Sequence, residues 1–363
     1  MRTTKPRWVV QLAGLVGLAV GGCGGSTDAD KVAPADKSKP GAAARQPSPA
    51  TAGGNYRIVI ITNGSSPFWD AVDRGMQDAG KSLGVRVELI RNDATEGGQI
   101  RRLEQVAAQS DIQGVGVSVL EAQAEGVADQ MRALRAKGVH VLAIDSDGPK
   151  DARLAFVGTN NLEAGRELGR AAQQLRPDGG KAVCFVGLSG AQNARERIQG
   201  FEEGAGDKIQ RIDTMDDGVD ESKARRNVVA AMQNHPEMNI LAGIWSYNAP
   251  AIADVVKESG RRKDYTVVTF DAEPNAIRAM QEGLIDVMVL QNPYEMGYQG
   301  VVLLNALIQG DQATVESKLK RTDNYDTGLK VVVPNDSSLI QSQYRVTLDE
   351  FKKWLNEKGL EGS

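Results

Sequence analysis

From Tyr56 onward, short runs of β-branched residues alternate with segments whose apolar residues recur at helical spacing. The runs include Arg57-Ile58-Val59-Ile60-Ile61, Val85 to Ile90, Gly114 to Val119, Val139 to Ile144, Val183 to Val186, Thr266 to Phe270 and Val287 to Leu290. Between the first two lie Phe68, Val72, Met76, Ala79 and Leu83, one face of a helix that Pro67 introduces. Strand–helix alternation of this kind predicts parallel sheets with helices on both faces. The alternation runs through the chain twice. Strands end near Thr62 and near Gly187, Ser118 and Asn248 each follow a strand, and so do Asp145 and Asp271. The separations within these pairs are nearly constant, which predicts two similar α/β lobes. The polar residues that interrupt the pattern sit at the C-terminal ends of strands, where open parallel sheets bind ligands. Two lobes facing one another across those ends share one cleft.

The N-terminus obeys different rules. Arg2, Lys5 and Arg7 precede an apolar run from Trp8 to Val20 that is short for a membrane span. Positive charge, a short apolar run and small residues together read as an export signal over 1–22. Val20-Gly21-Gly22-Cys23 resembles the bacterial lipobox, which implies lipidation of Cys23 and an anchored mature chain. Residues 24–55 are mostly Ala, Pro, Ser, Lys, Gly and Asp with almost nothing to bury, so 23–55 reads as the lipidated Cys followed by a disordered tether. The other cysteine, Cys184, lies in an apolar run and reads as a buried strand residue. At the far end, Thr347 and Glu350 have capping-box spacing, followed by the stripe Leu348, Phe351 and Leu355.

Charge and motifs narrow the function. With 43 basic and 47 acidic side chains the chain carries a formal charge of -4, the wrong sign for nucleic-acid binding. Only His140 and His235 are present, in contexts that suit structural roles. No nucleophile–base set, zinc-type Cys/His spacing or phosphate loop occurs, so neither an enzyme, a metal nor a cofactor is expected. Asp145 and Asp271 are a carboxylate pair of the type glycosidases use, and turnover of a chromogenic glycoside distinguishes that reading. A repressor of related design needs a basic helix-turn-helix where this chain has its export signal.

Ser66-Pro67-Phe68-Trp69 after the first strand, Ile144-Asp145, Ala194-Arg195-Glu196-Arg197 with Gly200-Phe201, Phe270-Asp271 and Leu290-Gln291 resemble, in order and spacing, the ribose-binding-protein type of periplasmic sugar receptor. The resemblance runs from about Tyr56 to Pro334. It implies two Rossmann-like, doubly wound lobes joined by a three-crossing hinge, the type I periplasmic binding protein fold. The crossings would lie near Thr159-Asn160, near Gln291-Asn292 and within 320–330. The N-terminal lobe would then be 56–159 with 292–324, the C-terminal lobe 160–291 with 325–334, and 335–363 an extension with a packed helix.

Carried over position by position, the resemblance implies sugar contact by Phe68, Trp69, Asp145, Arg195, Asn248, Asp271 and Gln291, with Ser66 and Ser118 at aligned ligand positions. Aromatic rings cover the C–H faces of a sugar, while Asp, Asn, Gln and Arg reach its hydroxyls. The chain departs from the family where Ser66 and Ser118 replace Asn, Ser146 replaces Arg and Val219 replaces Phe. Losing a cationic fork and an aromatic wall alters the pocket, so ribose is not implied. The expected role is an extracytoplasmic, lipid-anchored monomer that passes a sugar or polyol to the permease of an ABC importer. The alternative is a receptor that reports the same ligand to a membrane signalling partner.

Overall fold

The computed structural model describes residues 55–122 and 125–363. Cys23, the export signal and the tether lie outside the described residues.

The first sheet is built from β1 (Arg57–Ile61), β2 (Arg86–Ile90), β3 (Ile112–Val117), β4 (His140–Ile144) and β5 (Ala155–Gly158). Helices α1 (Phe68–Leu83), α2 (Glu96–Ala107) and α3 (Glu125–Ala136) connect the first four strands. The chain then passes through α4 (Asn161–Leu175) into a second series: β6 (Gly180–Val186), α5 (Gln192–Ala205), β7 (Ile209–Asp216), α6 (Glu221–Asn234), β8 (Ile240–Gly243), α7 (Asn248–Ser259), β9 (Thr266–Phe270), α8 (Pro274–Gln281) and β10 (Val287–Leu290). It returns as α9 (Pro293–Gln309), α10 (Gln312–Leu319) and β11 (Asn324–Asp326), and ends with β12 (Lys330–Val333), β13 (Arg345–Thr347) and α11 (Leu348–Lys358).

The sheet orders are β11-β5-β4-β3-β1-β2 and β13-β12-β10-β9-β8-β6-β7. The central five strands of each follow one doubly wound order, with β6 to β10 corresponding to β1 to β5. Among the described residues, every pairing between these strands is parallel except β10 with β12. The inner strands are apolar and buried on both faces, because helices cover each sheet on both sides, while the edge strands β2, β7, β11 and β13 are only partly buried. Each order reverses direction beside its first strand, at β1/β3 and at β6/β8, the place where such sheets open a ligand crevice. Strand β11 joins the first sheet. Strand β13 joins the second, and Leu348, Phe351 and Leu355 of α11 are buried in that lobe's core. The terminal segment, read from sequence as an extension, is thus part of the second lobe.

Two glycine-lined helix pairs hold the ends that face the cleft. Helices α1 and α9 approach so closely that a methyl on Gly75 would collide with the main-chain oxygen of Tyr294. In the second lobe α4 meets α5 in the same way, with Gly165 against the Arg197 carbonyl. Helix propensity alone favours alanine over glycine by roughly 0.5–1 kcal/mol. The collision reverses the sign, because overpacking a close contact costs about 1–3 kcal/mol. Gly75→Ala should therefore lower the melting temperature. A variant that melts at or above the wild-type temperature would show that the helices have room to spare.

Candidate functional site

The C-terminal ends of β4 and β9 define the site. At each, the main-chain N–H of an aspartate still bonds the neighbouring strand: Asp145 to Val157 O at 3.1 Å and Asp271 to Val289 O at 2.9 Å. The backbone then turns left-handed, with φ of +65° at Asp145 and +60° at Asp271. Aspartate tolerates this conformation far better than a branched residue does. Both side chains thereby leave the sheet line and enter a cavity between the lobes.

The first lobe contributes the loop Asn63–Ser66, Phe68, Trp69 and Asp145; the second contributes Asn193, Arg197, Val219, the loop Trp245–Tyr247 and Asp271. Gln291 lies at the crossing back to the first lobe and also lines the cavity. Phe68 and Trp69 meet edge to face, centroids 5.2 Å apart, at the start of α1. Trp245 and Tyr247 repeat that arrangement opposite, at 6.4 Å. Asp271 accepts from Gln291 Nε2 at 3.0 Å, which leaves Gln291 Oε1 buried without a hydrogen-bond partner. Asn193 accepts from Trp245 Nε1 at 3.3 Å and also bonds Asp145, joining the two lobes.

Arg197 is the buried cation of the site, 1% exposed. Its Nε donates to Asn161 Oδ1 at 2.9 Å and its Nη1 to Ile244 O at 3.0 Å, while the guanidinium lies 4.5 Å from the Phe270 ring centroid. Nη2 has no hydrogen-bond partner. Burial pushes the Asp145 carboxyl up to about 6, against the opposing pull of Arg197 and the Ser118 hydrogen bond. Burial likewise raises Asp271, again opposed by Arg197.

The sequence reading assigned ligand contact to Arg195. The structure turns that side chain away: it donates to Gly190 O and, at 2.6 Å, to Gln192 Oε1, and it does not line the cavity. The physical reason is the register of α5. Ala194, Arg197, Phe201 and Ala205 occupy its buried face, and Arg195 does not. Two further expected contacts stand behind the wall. Ser118 donates to Asp145 Oδ2 at 2.9 Å. Asn248 accepts from Trp245 N at 3.1 Å and donates to Asp217 at 2.9 Å. Ser66, Phe68, Trp69, Asp145, Asp271 and Gln291 line the cavity together. Val219 lines it from a left-handed backbone, φ +64°, a strained state for a branched residue. Its N–H is held by Asp217 Oδ1 at 2.9 Å. Asn63, Asn193, Trp245 and Tyr247 had no place in the sequence reading.

A model of the periplasmic binding protein domain matches residues 57–312, and the chain belongs to that family. It is 22% identical over 282 residues to the ribose import binding protein RbsB of Bacillus subtilis, covering 75% of this chain and 89% of the relative. It is 24% identical over 265 residues to the D-allose-binding periplasmic protein of Escherichia coli, covering 70% of this chain and 85% of the relative. Among solved structures, an ABC transporter solute-binding protein from Burkholderia graminis in complex with D-arabinose superimposes with TM-score 0.71 at 25% identity, covering 79% of this chain and 98% of that one. GanP, a glucose-galactose binding protein from Geobacillus stearothermophilus, does so with TM-score 0.71 at 26% identity, covering 79% and 100%. The family is one of binding proteins with the type I fold of two parallel-rich α/β sheets.

The raised Asp145 carboxyl has a signed consequence. Between the ordinary aspartate value and about 6, the folded state binds more protons at this group than the unfolded chain does. Its contribution to stability is complete below the ordinary value and is lost as pH rises through about 6. Surface carboxylates held low by arginine act oppositely, so the comparison must isolate the group. In the unliganded protein, Asp145→Asn should gain stability over wild type as pH rises from 4 to 7. A difference between the two melting curves that does not change with pH would refute the shift.

Proposed function

We propose that this protein captures a sugar or related polyol between its lobes and delivers it to the permease of an ABC importer. One observation carries the reading. Two buried carboxylates from facing lobes converge on a cavity that also holds an unpartnered guanidinium nitrogen, Arg197 Nη2, and an unpartnered amide oxygen, Gln291 Oε1. Buried polar groups are ordinarily satisfied, so these mark where a ligand supplies the partner. The carboxylates accept from hydroxyls and Arg197 donates to a ring or hydroxyl oxygen. Phe68 and Trp69 on one wall and Trp245 on the other suit the C–H faces of a ring. The ribose, allose and arabinose binders among its relatives and structural neighbours support a monosaccharide of pentose or hexose size.

A thermal-shift screen with pentoses, hexoses, polyols and inositols identifies the ligand, since a compound that binds only the folded state raises stability by RT ln(1 + [L]/Kd). With that ligand, calorimetry on Asp271→Asn should show at least tenfold weaker binding, because hydrogen bonds to charged groups contribute roughly 1.5–3 kcal/mol. Unchanged affinity in a folded variant would place the ligand elsewhere. If cells lacking this protein still take up that ligand at the wild-type rate, the receptor reading replaces the import reading.

We further propose that the mature chain begins at a lipidated Cys23 and works outside the cytoplasm, as the lipobox resemblance and the family both support. Mass spectrometry of membrane-extracted protein should show an acylated N-terminal cysteine. A Cys23→Ala chain that is still acylated would overturn this.

A further inference from the structure

The family model ends at residue 312, yet α11 and the segment after it touch both lobes and the ligand loop. Helix α11 belongs to the second lobe: Leu348, Phe351 and Leu355 are buried in its core, and the Thr347–Glu350 capping box fixes its start. Its last residue reaches across. Lys358 Nζ lies 4.3 Å from the ring centroid of Tyr294, at the start of α9 in the first lobe. Tyr294 in turn donates to Asp78 Oδ2 at 3.1 Å, and Arg74 donates to the same oxygen at 3.1 Å. Asp78 and Arg74 are on α1, the helix that presents Phe68 and Trp69 to the cavity. Gly359 lies against this group, since a methyl there would sit 3.6 Å from Arg74 Nη1.

Beyond Gly359 the chain runs back to the second lobe's ligand loop. Ala272 donates to Ser363 O at 2.7 Å, and Ser363 donates to Ala272 O at 3.0 Å. Ser363 is 2% exposed, and Gly362 has no room for a side chain against Ala272 O and Pro274. Ala272 directly follows Asp271. The left-handed turn at Asp271 is therefore clamped on one side by its bond to Val289 O and on the other by a reciprocal main-chain pair with Ser363.

We infer that the segment Lys358–Ser363 is a positioning element of the ligand site: its end fixes the main chain beside Asp271, and its start ties the second lobe to the helix that carries Phe68 and Trp69. The inference deepens the reading of this cleft as a binding site, but its test uses no sugar, so the two stand or fall separately. Lys358 acts through a cation held over an aromatic ring, which arginine reproduces and methionine does not. Ser363 acts through its main chain, which Ser363→Ala preserves and deletion of 360–363 removes.

The experiment uses the full ligand-free chain with Cys23→Ser. Spin labels at Glu104→Cys on α2 and Lys223→Cys on α6, both exposed, report the distance between lobes. The native Cys184 is buried, with its thiol pushed up to about 12, and stays unlabelled. Lys358→Met should move the distance distribution to longer values, and Lys358→Arg should restore it. In the second measurement, carbon-13 titration of the Asp271 carboxyl should show a lower midpoint in the 360–363 deletion, because water reaches the loop, and an unchanged one in Ser363→Ala. An unchanged distribution in Lys358→Met, or an unchanged Asp271 midpoint in the deletion, overturns the inference, since it requires both contacts.

Discussion

The site depends on one buried guanidinium. Arg197 is buried at the cavity wall: Asn161 and the Ile244 carbonyl hold two of its nitrogens, Phe270 lies beneath it, and Asp145 and Asp271 supply the field that keeps a charge there tolerable. An isolated buried charge is expensive, and breaking such a set by removing one partner costs about 3–5 kcal/mol. The carboxylates depend on Arg197 in return, because its charge opposes the burial that raises both of them. This mutual dependence spans the cleft: Asp145 belongs to the first lobe, and Arg197 and Asp271 to the second. The electrostatics of the pocket are therefore complete only when the lobes face each other.

The fold delivers these groups by using one device twice. In each lobe the fourth strand ends in an aspartate whose N–H completes the sheet and whose backbone then turns left-handed. In each lobe the helix after the first strand starts at the cavity, bringing Phe68 and Trp69 on α1 and Asn193 and Arg197 on α5. Close glycine contacts lock those helices to their neighbours. The two helix starts have diverged in chemistry: α1 offers aromatic rings and α5 an amide and a cation, with Trp245 and Tyr247 supplying the second lobe's rings from a separate loop. A ligand with apolar faces and a polar rim matches that division.

Much of this was legible in the sequence because it is periodic. The β-branched runs and the helical stripe through Phe68, Val72 and Met76 are local patterns, and Asp145 and Asp271 stand out because each follows a mostly apolar strand. What was missed depended on context that local patterns do not carry. Strand β8, Ile240–Gly243, is expected only through its position before Asn248: it is four residues long and half Ala and Gly, so its burial comes from neighbouring strands and not from its own propensity. Arg195 and Arg197 differ by two helical positions. The Ala194, Phe201 and Ala205 spacing assigns Arg197 to the buried face, a signal that was present and outweighed by the order of the motif. Trp245 and Tyr247 enter through a loop whose path is set by Asn248 and Asp217, which are far apart in sequence.

The most direct measurement is a crystal structure of the protein with the sugar or polyol that stabilises it most. The account predicts one ligand between the lobes, with hydroxyls on the Asp145 and Asp271 carboxylates, an oxygen within hydrogen-bond distance of Arg197 Nη2, and a ring face against Phe68 or Trp69. A ligand bound outside this cleft, or one inside it that leaves Arg197 Nη2 and both carboxylates bonded only to protein, would contradict it.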